Sequence, residues 1–293
     1  TAISDAVTVR LIQLAIDKLG PAPVPWCWAG FGSQARGEQL LGADQDNGII
    51  IADEVQPEQL PWYGELAKFV CDGLNDCGYV YCPGGIMATT DTWCQPLATW
   101  QHTVRRWTQT PTPDAVMRVS IFFDLRSIYG TSSLCDQLQQ TMLQQASSNS
   151  IFLAALAANA LDVKPPLGVF RRFVVDRDGE HRDSMDLKKR GVLPVTEIVR
   201  LHSLAHQVKA VNTNDRLQAL AHDKHMTIVD SRNLADALHF IQHQRIMHQC
   251  AQIVAGQKVS NFLVPRELPK MAKEQLRDAF TIIDDAQSAV RQT

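Results

Sequence analysis

Three aspartates and one small-residue turn are the residues of this chain best suited to chemistry. Asp44 and Asp46 are two positions apart, and Asp124 lies in the apolar segment Phe122-Phe123-Asp124-Leu125. Because side chains alternate across a strand, Asp44 and Asp46 would share one face of an extended segment, where their carboxylates repel unless a cation lies between them. Oxygen ligands of this kind suit Mg²⁺ or Mn²⁺. The pattern predicts Asp44, Asp46 and Asp124 as catalytic metal ligands for two ions that hold a transferring phosphoryl group.

The turn Gly32-Ser33 precedes the acid pair and suits a phosphate. Since Gly32 has no side chain, backbone N–H groups can approach phosphate oxygens, and the N-terminus of a following helix favours negative charge. The Ser33 hydroxyl can donate to the β- or γ-phosphate. Arg36 either neutralises triphosphate charge or pairs only with Glu38, and the sequence leaves both open. We predict Gly32, Ser33 and Arg36 as nucleotide-binding residues.

Each assignment has a structural alternative. A Gly-Ser pair alone is most often an ordinary turn, and its spacing from the acids is what favours phosphate binding. In the alternative to a metal site, residues 44–47 form a polar turn, although the run Ile49-Ile50-Ile51 that follows favours a strand. Asp124 would be a structural acid paired with Arg126 or Arg118.

These residues also carry a family resemblance. Gly-Ser, roughly ten residues and then Asp-x-Asp is the mark of the polymerase-β-like nucleotidyltransferase superfamily. The chain resembles more narrowly the family named putative nucleotidyltransferases, found in bacterial signalling proteins beside CBS and cyclic-nucleotide-binding modules. That family is similar in turn to the uridylyltransferases of nitrogen-regulatory proteins. Gly42-Ala43 departs from the Ala-Thr that relatives often carry. The matching segments span most of the chain: residues 30–38, 44–47, 83–88, 120–126 and 212–217.

The resemblance implies a metal-dependent nucleotidyltransferase. The substrate would be a nucleoside triphosphate, whose nucleoside monophosphate moves to an acceptor hydroxyl, with a protein tyrosine as one candidate. Asp44 and Asp46 would bind both ions, and Asp124 the ion that activates the acceptor. The resemblance also implies a role in signal transduction and upstream CBS or cyclic-nucleotide-binding domains. Because the chain begins at Thr1 without Met, we expect it to be a fragment that lacks them.

Two other functions are alternatives to nucleotidyl transfer. A regulatory module would bind the nucleotide and sense it without catalysis, and the three intact aspartates argue for catalysis instead. A hydrolase of nucleotide second messengers would need an organised His-Asp pair, which the sequence does not show.

Composition indicates a soluble globular protein. Of the 293 residues, 45% are hydrophobic and 20% charged, which is ordinary for a soluble domain. No apolar run approaches the roughly 20 residues of a membrane helix, so we expect no membrane association. Nucleic-acid binding has little support, because the pI is near 6.3 and the basic patches lack interleaved aromatics. The formal net charge is −7 for residues 1–150 and +4 for residues 151–293.

The cysteines and histidines give weaker signals. Seven cysteines, an odd number without a Cys-x-x-Cys motif, argue against a disulfide framework and indicate reduced thiols in the cytoplasm. A zinc site from Cys77, Cys82 and Cys94 matches no common spacing, so we interpret these thiols as buried or incidental. The histidine pairs at 202/206 and 239/243 are interpreted as packing or surface residues.

The fold class predicted is α+β, with two domains. A small mixed sheet with helices would form a nucleotidyltransferase domain over residues 1–149, and residues 150–293 would form a mainly helical domain after the Ser/Asn-rich stretch 147–150. Predicted strands are 26–31, 46–52, 79–81 and 119–125, and residues 170–175 are expected to form a strand or a hairpin that turns at Asp178-Gly179. Predicted helices are 2–19, 58–76, 95–109, 150–162, 194–211, 214–222, 230–255 and 267–290.

Overall fold

The chain divides into two compact units. The structure, a computed structural model, describes residues 1–291, without the side chains of Pro113, Asp114, Met117 and Val169. The first unit is Thr1–Phe152, and the second begins at Leu153. Among the described helices, none is both long enough and apolar enough to cross a membrane.

The first unit is built on a four-stranded mixed sheet. Its helices are α1 (Ala2–Leu19), α2 (Gly32–Ala35), α3 (Leu60–Asp76), α4 (Leu97–Gln109), α5 (Pro113–Phe122) and α6 (Ser132–Ser147). Its strands are β1 (Trp26–Phe31), β2 (Asp44–Gln45), β3 (Asn47–Ile51), β4 (Val80–Tyr81), β5 (Cys94–Pro96) and β6 (Leu125–Gly130). The sheet order is β5-β3-β1-β6, and β2 and β4 form a separate two-stranded sheet.

Strand β1 is central and its two neighbours run antiparallel to it. Gly30 pairs with Asn47 of β3 on one side and with Arg126 of β6 on the other. Strand β5 adds to β3 in parallel. This register places the end of β1, the start of β3 and the start of β6 at the same edge of the sheet, where the predicted site residues lie.

Both faces of the sheet are covered, which is why all six residues of β1 are buried. On one face Trp26 and Trp28 join Ile49 and Ile51 in a core that includes residues of α1 and α3. An aromatic cluster fills another part of the core, where the rings of Trp100 and Phe122 stack with centroids 4.9 Å apart. The site therefore lies at the end of a rigid, buried strand.

One predicted strand is wrong. Residues 119–125 were expected to form the strand that carries Asp124, but the structure has helix α5 (Pro113–Phe122), and β6 begins only at Leu125. The Thr112 hydroxyl caps α5 by accepting a hydrogen bond from the N–H of Ala115 at 3.2 Å, and Pro113 occupies the first turn, where proline is tolerated. Asp124 lies in the short connection between helix and strand.

The second unit is mainly helical, as predicted, and the fold class is α+β. Its elements are α8 (Leu193–Ala205), α9 (Thr213–His222), α10 (Ile228–Val254), α11 (Lys270–Val290), β7 (Met185–Asp186) and β8 (Phe262–Leu263). Helix α7 (Ser150–Asp162) spans the division between the units. The strand predicted at 170–175 is wrong: the chain forms a 3-10 turn at Val169–Arg171 and a bridge between Leu167 and Phe173. The alternative, a hairpin turning at Asp178-Gly179, agrees with two backbone hydrogen bonds: the Asp176 N–H donates to the Ser184 carbonyl at 2.9 Å and the Asp183 N–H to the Asp176 carbonyl at 2.8 Å.

Candidate functional site

The two aspartates of the Asp-x-Asp motif point to the same side of their segment. Asp44 begins β2, and Asp46 lies between β2 and β3. The intervening Gln45 points into the protein, where its amide donates to the carbonyls of Cys71 and Tyr79, both at 3.0 Å. Because alternate side chains of an extended segment face opposite ways, burial of Gln45 turns both carboxylates to the half-buried side.

A buried thiol lies beside this acid pair. Cys82 follows β4, which pairs in parallel with β2, and ligand atoms of Asp44, Asp46 and Cys82 all lie within 4.8 Å of one another. Burial and the neighbouring Asp46 carboxylate raise the pKa of the Cys82 thiol to about 11. The sequence alone did not place Cys82 here, because pairing of β2 with β4 is a long-range contact.

The Gly32-Ser33 turn lies directly against Asp46. Gly32 has φ +54°, a left-handed conformation that glycine adopts without steric cost. A Cβ atom at Gly32 would lie 3.4 Å from Oδ2 of Asp46. The N–H of Phe31 donates to the Asp46 carbonyl at 2.9 Å. The predicted phosphate turn and the acid pair are thus neighbours in space.

The geometry of this turn differs from the prediction in two respects. The Gly32 N–H donates to the Asp124 carbonyl at 3.1 Å, so it is engaged within the protein. Helix α2 is a single turn, Gly32–Ala35, and few aligned peptide dipoles give a weak field at its N-terminus. Ser33 is half-buried, and its hydroxyl stays a predicted phosphate donor.

Arg126 holds the turn in place, a role that the sequence did not indicate. Its guanidinium donates to the carbonyls of Ala35 at 3.0 Å and of Gln34 at 2.9 Å. It also forms an ion pair of 2.9 Å with Asp5 of α1. Arg126 is therefore a positioning residue for the turn.

Asp124 and Arg36 form a buried ion pair. Nη1 of Arg36 lies 2.5 Å from Oδ2 of Asp124, and Nε of Arg36 lies 2.7 Å from Oε2 of Glu38. The Arg36–Glu38 pair that the sequence left open is thus present, together with a second carboxylate. The structural alternative for Asp124 named Arg126 or Arg118 as its partner, and the structure shows Arg36 as a partner that the sequence did not indicate.

The predicted site residues fall into two adjoining groups. Gly32, Asp44 and Asp46 come together, and Arg36 and Asp124 come together through their ion pair. Among the described residues, the group of donor atoms within 4.8 Å of one another contains Asp44 and Asp46 but not Asp124. Metal ligation by Asp124 stays a prediction.

The donor set of the acid pair fits a divalent cation. Two carboxylates whose oxygens lie within 4.8 Å repel each other, and a hard cation between them removes that repulsion. Asp44 and Asp46 are the residues that would hold Mg²⁺ or Mn²⁺. The zinc site considered from Cys77, Cys82 and Cys94 does not occur among the residues that the structure describes.

The second unit contains a histidine cluster. The rings of His206 and His225 stack with centroids 3.7 Å apart, and His202 lies one helical turn before His206 on α8. Burial and the nearby His206 lower the pKa of His202, while burial and His225 lower the pKa of His206. His202 and His206 are therefore disposed to be neutral.

Comparison with known families covers most of the chain. A family model described as "Putative nucleotidyltransferase DUF294" matches residues 1–114. A second, described as "Putative nucleotidyltransferase substrate binding domain", matches residues 150–293. No curated protein matches the chain. The Gly-Ser turn and the Asp-x-Asp pair, which lie together in the structure, fall within the first match. The chain therefore belongs to the family of putative nucleotidyltransferases that these two models describe.

Proposed function

We propose that this protein moves a nucleoside monophosphate from a nucleoside triphosphate to an acceptor hydroxyl. The observation that carries the proposal is the contact between the Gly-Ser turn and the acid pair, because a Cβ at Gly32 would lie 3.4 Å from Oδ2 of Asp46. A phosphate over the turn would therefore lie next to the carboxylates that hold the cation.

In the proposed reaction the acceptor oxygen bonds to the α-phosphorus and the bond between the α- and β-phosphates breaks. Pyrophosphate leaves with the electron pair of that bond, and the hydroxyl proton passes to a base or to solvent. Mg²⁺ or Mn²⁺ bound by Asp44 and Asp46 would neutralise charge on the phosphates. Ser33 would donate to a terminal phosphate oxygen, and Gly32 leaves the space that the phosphate needs.

Metal ligation by Asp124 would have to accommodate its ion pair. Arg36 holds Oδ2 of Asp124 at 2.5 Å, so ligation through that oxygen would require Arg36 to turn away. The released guanidinium would then be available to the triphosphate, as predicted for Arg36. Substrate binding would in that case replace the Arg36–Asp124 ion pair with two new contacts, one between Asp124 and the metal ion and one between Arg36 and the triphosphate.

We further propose that residues 1–149 form the nucleotidyltransferase domain and residues 150–293 the domain that binds the acceptor. The description of the family model that matches residues 150–293 supports this division of labour. The proposed acceptor is a regulatory protein in the cytoplasm, which would give the chain a role in signal transduction. Upstream regulatory domains would then control the transfer.

A second candidate is a module that senses nucleotide without catalysis. The observation that favours it is the buried ion pair, because Arg36 already neutralises Asp124. In such a module the triphosphate binds at the turn and the acid pair, and Asp124 stays with Arg36.

Labelled triphosphates test both functions. The protein is incubated with each α-³²P nucleoside triphosphate, Mg²⁺ and a cell extract, and both pyrophosphate release and label on an acceptor are measured. We expect one triphosphate to give both products, and Asp46→Asn to abolish them. Asp76→Asn is the matched control, because Asp76 is exposed at the end of α3. Nucleotide binding without pyrophosphate release in any extract would replace the enzyme with the sensor.

A further inference from the structure

The site contains a sulfur donor that hard cations do not need. Asp44, Asp46 and Cys82 each place a ligand atom within 4.8 Å of the other two. In a tetrahedral zinc site the ligand bonds are about 2.0–2.3 Å, which puts neighbouring donors about 3.6 Å apart. The three donors would have to approach one another by about 1 Å to reach that spacing.

The segment that carries Cys82 is fixed to the acid pair by backbone hydrogen bonds. The Asn47 N–H donates to the carbonyl of Ile86 at 3.1 Å, and the Ala88 N–H donates to Oδ1 of Asn47 at 2.9 Å. Asn47 directly follows Asp46. The sulfur and the carboxylates are therefore held in register by the fold.

The sulfur is enclosed by the protein beside the acid pair. Cys82 is 9% exposed, and a Cβ atom at Gly84 would lie 3.7 Å from its Sγ. Packing of the neighbouring backbone therefore keeps the sulfur close to Asp44 and Asp46.

We propose that Cys82 joins Asp44 and Asp46 as the third ligand of a thiophilic divalent cation of the zinc class, which excludes Mg²⁺ from the shared carboxylates. Thiolate ligands favour zinc-class ions, whereas Mg²⁺ prefers oxygen donors alone. Binding replaces the thiol proton with the cation and releases that proton to solvent, without oxidation or reduction. The inhibitory consequence rests on the proposed function, but the coordination does not.

Absorption of bound Cd²⁺ tests the coordination without nucleotide or activity. Cd²⁺ bonded to a thiolate gives an ultraviolet charge-transfer band that carboxylates do not give. We expect one equivalent to produce the band in the full chain, and Cys82→Ser to remove it. Cys77→Ser is the matched control, because Cys77 is exposed five positions earlier and should leave the band unchanged.

Asp44→Asn separates this site from a thiol that binds metal alone. It keeps all seven cysteines but removes one carboxylate, so we expect the Cd²⁺ affinity to fall by at least about ten-fold, since even outer partners of metal ligands are worth about 10–100-fold. If Cys82→Ser does not fold, the Cd²⁺ affinity of Asp44→Asn still tests whether the carboxylates and the thiolate bind the same ion. A band that survives Cys82→Ser, or an affinity unchanged by Asp44→Asn, overturns the proposal.

Competition with Mg²⁺ is measured in the same absorption experiment. Excess Mg²⁺ should weaken the apparent Cd²⁺ affinity of the wild-type chain, because both ions use Asp44 and Asp46, and an affinity independent of Mg²⁺ would refute a shared site. If the Cd²⁺ results hold and no triphosphate yields pyrophosphate, the proposed function fails while the mixed-ligand site stands.

Discussion

Nη1 of Arg36 lies 2.5 Å from Oδ2 of Asp124, and this ion pair connects the turn at the end of β1 with the start of β6. The side chains of Asp124 and Arg36 are 0% and 9% exposed. A carboxylate removed from water is costly unless it is paired. In the structure, Arg36 pairs with the Asp124 carboxylate and also with the Glu38 carboxylate.

Arg36→Gln should destabilise the protein strongly. The substitution leaves the Asp124 carboxylate buried next to a neutral amide, and loss of one partner of a buried pair costs about 3–5 kcal/mol. Denaturant unfolding of wild type and variant measures the difference in free energy. The exposed pair Lys68–Asp72, whose side chains are 74% and 43% exposed, is the comparison, and Lys68→Gln should have a much smaller effect.

A double-mutant cycle with Asp124→Asn assigns the loss to the pair. The two single losses should add up to more than the loss in the double variant, because the Asp124 charge is then absent and cannot be left unpaired. Loss of the Arg36–Glu38 pair is common to both Arg36 variants and cancels in the cycle. Simple additivity would show that Arg36 stabilises the fold through contacts other than Asp124.

Gly32→Ala should weaken cation binding in addition to stability. The left-handed φ of +54° costs a residue with a Cβ about 1–2 kcal/mol, and the new methyl group would touch Oδ2 of Asp46 at 3.4 Å. Gly37→Ala is the matched control, since Gly37 has φ +74° and a Cβ there would meet nothing within 4 Å. Calorimetric titration with Mn²⁺ should show weaker binding only for Gly32→Ala.

The sequence predicted the strands around the acid pair because their signals are local. Apolar runs bounded by breakers gave β1 with its observed limits, Trp26–Phe31, and alternation placed Asp44 and Asp46 on one side. The segment before Asp124 is equally apolar, and its residues form a helix because they bury Phe122 among Trp93, Trp100 and Trp107. That packing is tertiary, although Thr112-Pro113 is itself a helix-start signal.

The missed parts of the site are contacts between distant segments. Cys82 approaches the acid pair only because β4 pairs with β2, and Arg36 approaches Asp124 only through the turn at Gly32. Neither contact leaves a pattern in one sequence, because side-chain spacing reports neighbours along a helix or strand and not across a fold.

Asp46→Asn should leave the thermal midpoint of the metal-free protein nearly unchanged. It keeps the size of the side chain and removes repulsion with Asp44, which lies within 4.8 Å. Mn²⁺ should raise the midpoint of wild type and of Asp76→Asn, because a ligand of the folded state stabilises it, and should not raise that of Asp46→Asn. A large fall of the midpoint without metal would instead identify Asp46 as a structural acid.

The helical unit should lose stability in mild acid because of His202. Burial, and then His206, lower the pKa of His202 in the folded state, so the unfolded chain binds more protons between the folded pKa and the ordinary value of about 6.5. Stability is therefore full above about pH 6.5 and decreases as the pH falls from there toward the folded pKa. His202 lines a pocket of the second unit, and the other charged or titratable groups that line it are His222, Lys224, His225, Asp230 and Asp285.

His202→Gln tests this sign directly, because glutamine has a similar polarity and does not titrate. Urea midpoints are compared about one unit above and one unit below the ordinary histidine pKa of about 6.5. The decrease on acidification should be smaller in His202→Gln than in wild type. His239→Gln, at an exposed position of α10, should retain the wild-type decrease. An equal decrease in all three proteins would show that other groups cause the acid sensitivity, and a larger decrease in His202→Gln would reverse the assigned sign.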